Sequence, residues 1–100
     1  MALVSGTSAA SGTLTGSTVD TVILTKPCST VTVVNVTGSA AIYFTVCTVG
    51  GPSAQPTVGG ADCKVLPAAI GSVDVKIISG YGIVVNLISS GTPGYTVEII

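Results

Sequence analysis

Charge is what this sequence most lacks. Seven of its 100 residues are ionic, namely Asp20, Lys26, Asp62, Lys64, Asp74, Lys76 and Glu98, and arginine, histidine and tryptophan are absent. A soluble domain ordinarily has about a quarter of its residues charged. The surface is therefore built from Ser, Thr, Gly and apolar groups. Without histidine, general acid–base catalysis loses its commonest carrier, and the four carboxylates stand singly along the chain. Three scattered lysines cannot follow a phosphate backbone, so nucleic acid is excluded as a partner. The net charge is −1.

Long apolar runs are missing too. Mean hydropathy is +0.83, yet Thr and Ser interrupt every apolar stretch well short of the ~20 residues that a spanning helix needs. No membrane partner is expected. The opening Met1-Ala-Leu-Val-Ser-Gly has neither a basic region nor a long apolar core, so no secretory signal is expected either. Aromatics are limited to Tyr43, Phe44, Tyr81 and Tyr95.

Cysteines are few and odd in number: Cys28, Cys47 and Cys63. At least one thiol is unpaired within a monomer. A Cys47–Cys63 bridge would close the loop between them. The alternative is three reduced cysteines acting as small apolar residues, as fits a chain without an export signal. Their spacing, with no histidine, matches no zinc pattern. Gly50-Gly51 and Gly59-Gly60 lack the Lys-Ser/Thr that follows a phosphate loop. Asn35-Val36-Thr37 has the form of a glycosylation sequon but falls in a predicted strand. No enzyme activity, cofactor or metal is expected.

What is abundant is β-branched. Val, Ile and Thr make up about 40% of the chain, a composition suited to pleated, half-buried surfaces. Residues 1–17, with SGTSAASGTLTGS from Ser5 to Ser17, are low in complexity and carry little large apolar surface. They read as a flexible segment, either a leader with no role or an arm that docks on an adjacent subunit with Leu14 as a candidate contact. Residues 18–100 read as one all-β domain. Strands are predicted over Val19–Lys26, Thr30–Thr37, Ala41–Thr48, Cys63–Leu66, Val73–Ser79, Ile83–Ser89 and Tyr95–Ile100. Alternation puts Ile42, Phe44 and Val46 on one face, and Val73, Val75 and Ile77 inward with Asp74 and Lys76 outward. Gly38-Ser39 reads as a tight hairpin turn. Val49–Asp62, with four glycines and two prolines, is a loop of the length where binding concentrates.

About seven short antiparallel strands with regular turn signals predict a β-sandwich, immunoglobulin-like or a small barrel. Candidate partner contacts are Leu14 in the arm, Pro52, Gln55 and Pro56 in the long loop, and Tyr43 and Tyr81.

The segments VTVVNVTGSAAIYFTV (Val31 to Val46), VGGADCKVLPAAIGSV (Val58 to Val73) and LISSGTPGYTVE (Leu87 to Glu98) resemble small β-sandwich virion proteins of tailed bacteriophages, particularly those of actinobacterial hosts. The resemblance covers most of the chain after residue 18. It implies a capsid decoration or minor structural protein, made in the bacterial cytoplasm and carried on the capsid surface. It further implies the major capsid protein and copies of the chain itself as partners, in a homotrimer. Tail or fibre proteins share such folds, and an immunoglobulin-like adhesion or glycan-binding module is the alternative from another class.

Overall fold

Nine strands form in the computed structural model, which describes residues 3–51, 54–60 and 63–100. They are β1 (Leu3–Gly6), β2 (Ala9–Thr13), β3 (Asp20–Leu24), β4 (Cys28–Asn35), β5 (Ile42–Thr48), β6 (Lys64–Leu66), β7 (Gly71–Ser79), β8 (Ile83–Ile88) and β9 (Gly94–Ile99). The first sheet runs β1-β3-β8-β5-β6 and the second β2-β9-β4-β7. The two pack face to face as an all-β sandwich. Each of the seven predicted strands is present, with ends shifted by at most two residues.

The core is a single cluster between the sheets. Val22 and Leu24 of β3, Val31 and Val33 of β4, Ile42 and Phe44 of β5, Val85 and Leu87 of β8, and Tyr95 and Val97 of β9 are all buried in it. Each pair is two residues apart, as a period of two requires. Val73, Val75 and Ile77 face the same core from β7 but stay half-buried, because β7 lies at the sheet edge.

Connectivity differs from expectation at Gly38-Ser39. β4 pairs with β7 and β9, whereas β5 pairs with β6 and β8. The corner is therefore an arch between sheets, not a hairpin. Of the consecutive strand pairs, β5–β6 alone stay in one sheet. Alternation reports which face of a strand is apolar. It does not report whether the next strand meets that face from the side or from across the core.

Buried polar side chains hold the arches. Asn35 is fully buried; its amide donates to the carbonyls of Ala40 (2.9 Å) and Pro67 (3.1 Å), and its Oδ1 accepts the Gly38 N–H (3.0 Å). The sequon asparagine is thus a structural clamp between two arches. Ser89 works similarly, donating to Ala41 O (2.6 Å) and accepting from Gly91 N–H (3.2 Å). At the β7–β8 corner Gly82 has φ +95°, and a Cβ there would collide with the Leu24 carbonyl. Only glycine fits.

The flexible arm expected over residues 1–17 is not what the described residues show. β1 pairs in parallel with β3, and β2 pairs antiparallel with β9. Leu14 is 1% exposed and lies in the core. Its N–H donates to Pro93 O at 3.0 Å. The small residues that looked featureless permit close approach: a Cβ at Gly12 would sit 2.7 Å from the Tyr95 hydroxyl. Backbone pairing along two sheet edges supplies what side chains do not. At the other end, Ile100 exchanges backbone hydrogen bonds with Thr30 (3.0 and 3.3 Å), so the last strand is paired throughout, as its sequence implied.

Candidate functional site

A row of polar side chains crosses the outer face of the first sheet. Thr45 of β5 stands opposite Asn86 of β8, which stands opposite Thr21 of β3. Thr21 Oγ1 donates to Asn86 Oδ1 at 2.7 Å. Asn86 Nδ2 and Thr45 Oγ1 both donate to the carbonyl of Ala54, at 3.0 and 2.6 Å. That shared acceptor pins the loop after β5 onto the sheet. Pro56 in this loop is buried, and Gly60 passes close enough that a Cβ would lie 3.5 Å from the Tyr43 ring.

Between this loop and β5 lies a cleft of about 460 Å³, lined by Phe44, Thr45, Val46, Cys47, Ala54, Cys63 and Lys64. Cys47 and Cys63 are free thiols, half-buried, with no bridge between them. Cys63 Sγ reaches the Thr57 carbonyl at 3.7 Å. The cleft thus offers two thiols and one ammonium among apolar groups and backbone. Thr45 and Asn86 are already committed to Ala54. Among the described residues, no three of His, Cys, Asp and Glu come together as a metal would require.

Apart from Lys64 of β6, the described sheet around the cleft is neutral. The outward positions of β1, β3, β8 and β5 are Leu3, Ser5, Thr21, Ile23, Val84, Asn86, Ile88, Tyr43, Thr45 and Cys47. None is charged. Away from the pinned loop, Leu3 is 69% exposed and Ile23 and Val84 are partly exposed. The outer face of the second sheet differs. There Thr32 Oγ1 donates to Asp74 Oδ1 (2.7 Å), Ser11 and Thr96 share a hydrogen bond (2.9 Å), and Lys76 and Glu98 are exposed.

Among the described residues two ionisable groups are displaced from their ordinary range, and neither opens into the cleft. Tyr95 is raised, first by burial and then by the charge and hydrogen bond of Asp20, whose Oδ2 accepts the phenol proton at 3.0 Å. Cys28 is pushed up by burial, partly opposed by a backbone hydrogen bond at Ser79. Both shifts are those of core groups.

The predicted contacts disperse. Leu14 belongs to the core and Pro56 is buried, so neither is available to a partner. Pro52 lies outside the described residues. Gln55 is exposed, Tyr43 is half-buried on the outer sheet face, and Tyr81 is 80% exposed at the β7–β8 corner. Tyr81 is remote in sequence from the loop. Sequence reasoning missed Thr45 and Asn86. Asn86 does stand out as the lone polar residue in IVVNLI, but nothing in the alternation of β5 announces that a loop will cover Thr45.

No family model and no curated protein matches the chain. Solved structures share the fold. The lysozyme inhibitor PliG of Aeromonas hydrophila, a periplasmic inhibitor of g-type lysozyme, superposes with a TM-score of 0.57 at 19% identity, covering 99% of this chain and 96% of that one. The carbohydrate-binding module CBM_E1 from a sugar cane soil metagenome gives 0.59 at 7% identity, over 96% and 89%. The pre-peptidase C-terminal domain of a Bacillus anthracis collagenase gives 0.54 at 10%, over 99% and 93%. At these identities the likeness is one of fold. A sandwich carries many unrelated functions.

Proposed function

We propose that this chain is a non-enzymatic structural protein of a tailed-phage virion. In this reading it seats its uncharged sheet face on the outside of the capsid and braces the major capsid protein beneath. The observation that carries the reading is the charge-free outer face of β1, β3, β8 and β5, beside a cleft whose described lining has no imidazole or carboxylate. Apolar and hydroxyl groups can be buried against protein without the desolvation cost of ions. The likeness of three sequence segments to phage virion proteins supplies the context. Cryo-electron microscopy of intact particles tests it, with hundreds of copies expected over the head. Absence from particles would refute the virion reading. Confinement to the tail would replace decoration with a tail or fibre role.

A glycan-binding module is the second reading, favoured by the exposed ring of Tyr81 and by a fold shared with CBM_E1. Sugar platforms rest on stacked aromatics, and Tyr81 is exposed alone while Tyr43 is half-covered. A glycan array without hits would remove this reading.

A further inference from the structure

β7 is the longest strand, nine residues, and forms one edge of the second sheet. Among the described residues it pairs with β4 only. Its outer edge therefore presents a row of backbone N–H and C=O groups that template another strand. We propose that this edge pairs antiparallel with β7 of a second copy, Val75 facing Val75, joining two four-stranded sheets into one of eight.

The sequence of β7, GSVDVKIIS, selects that register. For a two-fold axis perpendicular to the sheet, facing residues share one face and their numbers sum to an even value. Centring on Val75 sets Asp74 opposite Lys76 of the second copy, and Lys76 opposite its Asp74. Moving the centre by one residue either way sets Asp74 against Asp74, or Lys76 against Lys76. Opposite charges directly across a ladder stabilise it, and like charges do the reverse. In the Val75-centred register Val73 also faces Ile77, so the half-buried inner row of β7 becomes continuous with its counterpart. On the outer face Ile78, 87% exposed, gains a cross-strand neighbour in Ser72. Ile70, 76% exposed just before the strand, reaches the end where Tyr81 of the other copy emerges.

An isologous pairing of this kind closes at two copies. It stands apart from the virion reading, because it is tested on the isolated chain. Sedimentation of the reduced, full-length protein should show a monomer–dimer equilibrium. D74K and K76D each place two like-charge pairs across the ladder and should weaken the dimer by about tenfold to a hundredfold. The double variant D74K/K76D restores opposite charges and should recover the parent affinity. Amide exchange on the unaltered chain gives a second readout: protection of residues 71–79 should rise with protein concentration. A monomer at every concentration, a trimer, a dimer indifferent to the single reversals, a failed rescue, or exchange in β7 independent of concentration would each overturn the proposal.

Discussion

Replacing Leu14 by alanine tests whether the glycine- and serine-rich opening of the chain is part of the fold. The leucine follows β2, is 1% exposed and packs in the one hydrophobic core. Leu→Ala at such positions removes transfer free energy and leaves a cavity, together costing about 3 kcal/mol within a range of roughly 2–5. In a domain of this length each kcal/mol lowers Tm by roughly 5 °C, so a fall of about 15 °C is expected. Leu3→Ala is the control. It lies in the same segment but is 69% exposed, and should change stability by no more than about 0.5 kcal/mol. Thermal melts followed by circular dichroism, with urea midpoints at unchanged slope, measure both. Deleting residues 1–17 should destabilise more than Leu14→Ala, since it also strips β1 from β3 and β2 from β9. If Leu14→Ala melts within about 2 °C of the parent, the segment does not close the core and the argument fails.

Tyr95 should confer a pH dependence. Its folded-state pKa lies above the ordinary value of 10, so the unfolded chain loses that proton first. The stabilisation is complete below pH 10 and is lost as pH rises above it, at up to about 1.4 kcal/mol per pH unit. Tyr95→Phe should remove that slope and cost about 1–3 kcal/mol at neutral pH by taking a hydrogen bond from buried Asp20; an unchanged alkaline slope in urea titrations would contradict this. With a thiol reagent at neutral pH, half-buried Cys47 and Cys63 should react in the native state and buried Cys28 only after unfolding. Rapid labelling of all three would be inconsistent with the core position of Cys28. Gly82→Ala should cost more than Gly50→Ala, because both have positive φ but only the Gly82 Cβ meets a carbonyl while the Gly50 Cβ meets open space. Equal urea midpoints for the two variants would refute that.

Much of the architecture was legible in the residues. β5 and β7 alternate as written, β6 ends just before Pro67 and β7 just before Gly80, while β4 ends at Asn35, two residues short of the end read from Gly38-Ser39. The candidate site was less legible. Gln55 and Tyr81 are exposed, whereas Pro56 is buried within the loop that it helps to form. Thr45 looked like a solvent-facing residue and became a hydrogen-bond donor to Ala54 under that loop. Residues 1–17 looked too poor in apolar surface to order, yet Leu3–Gly6 and Ala9–Thr13 are strands. Their pairing partners, β3 and β9, lie elsewhere in the chain, and backbone hydrogen bonds leave no mark on composition.

By itself the sequence determined that the chain is β throughout, which faces of its strands are apolar, and that little charge is available for chemistry. These follow from side-chain type and a period of two, both local properties. The tertiary structure alone decided that Gly38-Ser39 is an arch, that the opening segment closes the core, that Asn35 clamps two corners, and that β7 has a free edge among the described residues. Those depend on which strand lies beside which, and strand pairing is made by backbone groups that every residue but proline carries alike.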